Sequence, residues 1–154
     1  MPMIRVDETI VINRPREDVW DHITDYAFDH RWRRGLLSMT PTPPGLAAPG
    51  SRVVEELRRG GQTYQATTTV DHLEPGQWYS FNGEGSGGKI SGRRSVAPGS
   101  ETGTSRFTYA FVLAPTGLAR LVGPLATWIA RRGMRIDLRI LKAELERHQS
   151  RPAR

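Results

Sequence analysis

Residues 52–82 read RVVEELRRGGQTYQATTTVDHLEPGQWYSFN, and their period is two. Val53, Glu55 and Leu57 alternate with Val54, Glu56 and Arg58. Gly60-Gly61 is then the kind of two-residue turn that joins hairpin strands. Residues 62–73 alternate again, with Tyr64, Ala66, Thr68 and Val70 on one face, and Glu74-Pro75-Gly76-Gln77 is a second turn signal. Strands joined by such short turns are antiparallel. Working outward, residues 35–42 read as a strand followed by a Pro/Gly-rich loop, and residues 89–96 and 104–113 continue the meander. Upstream, residues 5–12 (RVDETIVI) form a first strand. Asn13-Arg14-Pro15 then opens a helix, with Glu17 and Asp18 in its first turn and Val19, Trp20 and Ile23 on its buried face. Residues 25–34 predict a second short helix. The class is α+β: one strand, two short helices, six more strands and a long helix.

The length of 154 residues suits one domain with a proper core. The expected division is a single domain over residues 1–150 and a basic tail over 151–154. There is no cysteine, which excludes disulfides, thiolate metal sites and cysteine nucleophiles. No run of apolar residues reaches the ~18 needed to cross a bilayer, and the first seven residues have no signal-peptide core, so a cytoplasmic protein is the expectation. The net charge is +6. Of the 22 basic residues, all but Lys89 and Lys142 are arginine. That skew reads as genomic composition rather than a nucleic-acid site, since either residue supplies phosphate-binding charge.

Residues 118–148 would make one helix ~46 Å long, longer than such a domain is wide, so a break is expected at Gly123-Pro124. Two apolar stripes run along it. Leu118, Val122, Leu125, Ile129, Ile136 and Ile140 share one side, and Met134, Leu138, Leu141 and Leu145 share nearly the opposite one. Packing on a sheet needs one stripe. The second implies a distortion near Gly133 with surface-exposed Leu, a homodimer contact through this helix, or a lid beside a ligand. Arg131, Arg135 and Lys142 form a basic stripe that reads as a solvated face.

Several strings carry chemistry on paper. Residues 83–89 (GEGSGGK) match a dinucleotide fingerprint and nearly a phosphate loop. Both motifs need a helix N-terminus directly after the loop. Residues 90–96 read as a strand instead, so the string is taken as a hairpin loop. Asp21, His22, Asp25, Asp29 and His30 lack paired-histidine spacing, and no metal or cofactor is expected. The sheet faces are more informative. Phe107, Tyr109, Phe111 and Leu113 share a face, and Tyr79 and Phe81 lie on the strand at 78–82. Such a face is either packed core or a cavity wall in which a polar ligand group satisfies the phenols. Glu55 and Glu8 fall on inward faces. A carboxylate there would have a raised pKa suited to acid–base work, or would sit in water at a strand end.

Three strings follow one another along the chain: Asn13-Arg14-Pro15-Arg16-Glu17-Asp18-Val19-Trp20-Asp21-His22-Ile23-Thr24-Asp25, followed by Trp32; Val70-Asp71-His72-Leu73-Glu74-Pro75; and Leu138-Arg139-Ile140-Leu141-Lys142-Ala143-Glu144-Leu145-Glu146. In this order they resemble the START-like, polyketide cyclase/dehydrase-type superfamily (SRPBCC, Bet v 1-like). Arg14 stands where the family usually has Ala. The resemblance implies a helix-grip fold, in which a curved six- to seven-stranded antiparallel sheet wraps around the C-terminal helix. It also implies a cavity that binds lipids, polyketides or aromatic molecules. The expected lining is Trp32, Tyr64, Thr68, Tyr79, Phe81, Tyr109, Phe111 and Trp128. The expected function is binding of a small hydrophobic molecule. The alternatives are a cyclase/dehydratase using Glu55 or Glu8 with a Tyr hydroxyl, and an interaction protein working through the basic helix.

Overall fold

The structure, a computed structural model, describes residues 3–116 and 123–147. Strand β1 (Ile4–Ile12) leads into helix α1 (Arg16–Ile23) and a 3-10 helix (Tyr26–Arg31). Six strands come next with no helix between them: β2 (Leu36–Thr42), β3 (Arg52–Arg59), β4 (Gln62–Glu74), β5 (Trp78–Gly85), β6 (Gly88–Pro98) and β7 (Ser105–Pro115). Helix α2 (Gly123–Arg147) comes after them. All seven strands belong to one antiparallel sheet, in the order β1-β7-β6-β5-β4-β3-β2.

Local chemistry accounts for the joints. Gly60 and Gly61 both have positive φ, +57° and +80°, as a tight hairpin turn requires of its two central residues. Pro15 is the extended residue just before α1. The second helix is of the 3-10 kind, and Asp25 caps it by accepting the Ala27 N–H at 3.0 Å. The register slips by one residue at Asp71 on β4 and at Leu37 on β2. Such bulges bend a strand and increase its twist, which helps the sheet curl. Residues 83–89 run through the end of β5 and the start of β6. With a strand after the turn, the helix N-terminus that would hold a phosphate is missing.

Helix α2 lies against the sheet, chiefly over β1. It is continuous through Gly133, so the expected distortion there does not occur. Its inward stripe is Met134, Leu138, Leu141 and Leu145, all buried in the core with Val6, Ile12 and Phe107. Leu125 and Ile129, from the other stripe, are exposed. Residues 118–122, on which the break expected at Gly123-Pro124 depends, lie outside the described residues, as does the tail at 151–154.

The basic stripe is not simply a solvated face. Arg131 Nε donates to the Arg5 carbonyl at 3.2 Å, and Lys142 Nζ donates to the Val11 carbonyl at 2.8 Å. β1 is an edge strand, and these two side chains occupy carbonyls that would otherwise face a new partner. Lys142 also bonds Glu146, which accepts the Asn13 N–H. Burial works to raise the Glu146 pKa, but these bonds outweigh it and hold the carboxyl below its usual range. The tie between α2 and the start of α1 is therefore lost as pH falls through that lowered value.

Gly92 makes a sharp test of the sheet. A Cβ there would meet the Ala110 carbonyl oxygen and Phe81 Cζ at 2.6 Å each. We expect Gly92→Ala to cost about 1–3 kcal/mol, seen as a lower denaturation midpoint with an unchanged slope. An unchanged midpoint would mean that the Phe81 ring is not held over Gly92.

Candidate functional site

Rows of side chains cross the concave face because the register aligns them. Tyr79, Arg94 and Tyr109 are direct neighbours on β5, β6 and β7. In the next row Phe81 and Phe111 flank Gly92, whose missing side chain leaves room for both rings. Thr68, Gly83, Ile90, Leu113 and Ile4 make a third row. Between these rows and α2 lies a cavity of about 440 Å3, within the ~300–1,000 Å3 range of small-molecule sites.

The cavity has two characters. Its walls are apolar: Phe81, Ile90, Phe111 and Leu113 from the sheet, Ala130 and Met134 from α2. Ala126 and Ile129, near the start of α2, and Gly85, Gly87 and Gly88, at the β5–β6 turn, also border it. Elsewhere it is lined by Tyr26, Arg33, Glu55, Tyr79, Arg94 and Tyr109. We refer to this polar group as the floor.

Arg94 is wholly buried, and so is Asp29, which accepts from both of its terminal nitrogens. Arg94 Nη1 also donates to the Ile23 carbonyl at 2.9 Å, which ties β6 to the end of α1. The guanidinium carbon lies 5.1 Å from the Trp32 ring centroid and 4.9 Å from that of Tyr109, a cation–π setting. Arg33 Nη1 is 2.9 Å from Glu55 Oε2 and 3.5 Å from Asp29 Oδ2. Two arginines and two carboxylates thus balance in charge. Burial disfavours the arginine charges, but the paired carboxylates outweigh it, and both stay protonated with raised pKa values. Burial pushes the phenols of Tyr26 and Tyr79 up from their usual value. They remain neutral hydrogen-bond donors at physiological pH.

Two N–H donors here are left over, one on Arg94 and one on the Trp32 indole. Arg94 Nε has no hydrogen-bond partner among the described residues although it is buried. A buried N–H without an acceptor is costly. The floor thus brings arginine and phenol donors together with the Glu55 carboxylate at one side of the cavity.

The residues expected from sequence divide between cavity, core and surface. Tyr64, Thr68, Tyr79, Phe81, Tyr109 and Phe111 border the cavity, and so does Glu55. Trp32 does not. It is buried edge-on against Phe107 and Tyr109, beneath the arginine. Trp128 faces outward, more than half exposed, with Arg132 over its ring. Glu8 is inward-facing but lies outside the cavity, paired with Arg135 of α2 at 3.2 Å. Arg33, Arg94, Tyr26 and Asp137 were missed. The signal for Arg94 was present, since it alternates with Ile90, Gly92 and Val96 as the one charge on the inward face of β6. Asp25 caps the 3-10 helix and Asp29 pairs with arginines, so these acids are not grouped as metal ligands.

With the geometry in place, the comparisons are clear about kinship. The family model described as polyketide cyclase / dehydrase and lipid transport matches residues 3–146, and the chain belongs to that family. Among solved structures, a protein from Thermus thermophilus superposes with a TM-score of 0.80 at 15% identity, covering 95% of this chain and 99% of its own. A START superfamily protein from Mycobacterium smegmatis gives 0.76 at 14% identity, covering 93% and 97%. The ZhuI aromatase/cyclase from Streptomyces sp. R1128 gives 0.76 at 15% identity, covering 94% of each chain. These likenesses establish the helix-grip fold. No curated protein matches the chain.

The floor makes two outcomes measurable. Asp29→Asn leaves a buried guanidinium without its counter-charge, and breaking such a pair costs about 3–5 kcal/mol. The double change Asp29→Leu with Arg94→Met should be less damaging than Asp29→Asn alone, measured by thermal melts. The second outcome concerns alkaline pH. Folded-state phenol values lie above the unfolded value of about 10, so stability is intact below that pH and declines as pH rises beyond it. Absorbance at 295 nm should show native ionisation lagging behind denatured ionisation, with less lag in Tyr79→Phe.

Proposed function

We propose that the chain binds a small hydrophobic molecule of the polyketide, aromatic or lipid class, with an oxygen-bearing end on the floor and its apolar body along the walls. The supporting observation is a cavity of about 440 Å3 with aliphatic and aromatic walls and a polar floor that includes Arg94, whose buried Nε–H has no partner among the described residues. The lining then comprises Tyr64, Thr68, Tyr79, Phe81, Tyr109 and Phe111. Trp32 supports the floor from below, and Trp128 has no part in it. A single domain working in the cytoplasm belongs to the same proposal.

The test is native mass spectrometry of the protein from its host, followed by uptake of an aromatic polyketide series. A co-purifying apolar molecule near equal stoichiometry is the expected result. Ala130→Phe, which fills the cavity from α2, should weaken uptake by at least ~10-fold, the effect of losing about 1.4 kcal/mol. Tyr79→Phe should weaken oxygen-bearing ligands and spare hydrocarbon analogues of the same shape. Unchanged uptake by Ala130→Phe would remove the cavity as the site.

A second reading is favoured by one observation, that Glu55 borders the same cavity as four phenols, those of Tyr26, Tyr64, Tyr79 and Tyr109. The chain would then be a cyclase/dehydratase. Glu55 takes the proton alpha to a substrate carbonyl, and the enolate oxygen is held by a phenol and Arg94 Nε. The enolate carbon attacks a second carbonyl, and the resulting alkoxide takes that proton back from Glu55. The carboxylate then removes the remaining alpha proton and passes it to the departing hydroxyl, so that water leaves and the double bond forms. Glu55→Gln should lower turnover by about 10²–10⁴ with binding retained. Equal turnover would exclude Glu55 as the base.

A further inference from the structure

The side of α2 that faces away from the core is unusual for a helix packed on a sheet. Leu125, Trp128 and Ile129 are each more than half exposed. One to four turns further on, the same side carries Arg132, Ile136, Arg139, Ile140 and Ala143. Ile136, Arg139, Ile140 and Ala143 line a shallow groove together with Arg31. Glu144 closes one end of that groove, where it is engaged by Arg31 and His22. Between residues 125 and 143 the helix has five basic residues and a single acid, Asp137. Asp137 is buried and engaged by Arg34 and Arg59. The outward face from Leu125 to Ala143 is thus apolar and cationic, with no carboxylate on it.

We propose that this face docks on an anionic lipid surface, with Trp128, Leu125 and Ile129 entering the headgroup boundary and the arginines contacting lipid phosphates. The chemistry selects this occupant. Leu and Ile gain nothing against RNA, whereas a bilayer boundary buries them. A second copy would set Arg132 and Arg139 against their own kind. Trp with Arg132 stacked over it at 5.5 Å combines an amphipathic ring and a cation at one depth. Ile129 belongs both to the exposed patch and to the cavity border, and Ala126 beside it also borders the cavity. Docking therefore brings this part of the cavity border to the lipid surface. This holds whether or not the cavity binds a ligand.

The test is flotation of the full chain with vesicles of phosphatidylcholine alone, and with phosphatidylglycerol added. Binding to the anionic vesicles alone, weakening as salt rises, is the expected result. Arg132→Gln with Arg139→Gln should cut partitioning by about fivefold for each arginine removed. Leu125→Ser with Ile129→Ser should abolish it. Both pairs face solvent, so the melts should match the parent protein. Brominated lipid should quench part of the tryptophan emission, and Trp128→Phe should remove that part. Absence of vesicle binding would overturn the proposal, as would binding indifferent to both pairs of substitutions. Single-stranded RNA held by the same arginines without vesicle binding would assign the face to RNA. Dimerisation lost in Leu125→Ser/Ile129→Ser, without vesicle binding, would assign it to a second copy.

Discussion

An arginine on the concave face of a sheet, wholly out of water, is tolerable only beside a carboxylate that is equally buried. Arg94 and Asp29 satisfy that condition, and much of the molecule is arranged around them. The pair is carried by β6 and the 3-10 helix, and the same guanidinium holds the last carbonyl of α1. Asp29 reaches Arg33 as well, and Arg33 reaches Glu55 on β3. Two carboxylates thus connect the helical segment after β1 to both halves of the sheet. Hydrophobic replacement of such a pair is often neutral or stabilising in other proteins, so its presence argues for a role in placing polar groups where the walls are greasy.

The fold was legible because its signals are local. Gly60-Gly61 and Glu74-Pro75-Gly76-Gln77 mark the turns, the period of two marks the faces, and the inward positions of Tyr64, Thr68, Phe81 and Phe111 follow from alternation alone. What alternation does not carry is the third dimension. It placed Glu8 and Glu55 correctly on inward faces but not which of them the helix covers. Glu8 lies under Arg135, and Glu55 borders the cavity. Trp32 and Trp128 look alike as large aromatics. One is buried beneath an ion pair and the other is outside, because their surroundings come from residues far away in sequence. The partnership of Asp29 with Arg94 spans 65 residues, and no short-range pattern announces it.

Helix α2 divides its work by side. Met134, Leu138, Leu141 and Leu145 complete the core, Ala130 and Met134 wall the cavity, and Arg131 and Lys142 cover the edge of β1. That leaves Leu125 and Trp128 with no inward duty, and Ile129 shared between the cavity border and the surface. The two apolar stripes accordingly belong to one continuous helix rather than marking a break in it. The change from packed core to cavity along the sheet has an equally simple origin. Gly83, Gly85, Gly88 and Gly92 thin the inner surface toward the β5–β6 turn, while the rows nearer α1 are filled by aromatic rings and Arg94.

The pairing of β1 with β7 has a consequence in time. Thr9 and Thr108 touch although they lie 99 positions apart, and among the described residues the whole of β1 has β7 as its only strand partner. On a ribosome, where chains lengthen at about 5–20 residues per second, β1 waits several seconds before its partner exists. The β2–β6 meander can close in the meantime through short loops. Assembly then runs against chain order, with the first strand docking among the last and bringing α1 with it. Until then β7 presents an open edge, the surface most exposed to mispairing with a neighbouring chain.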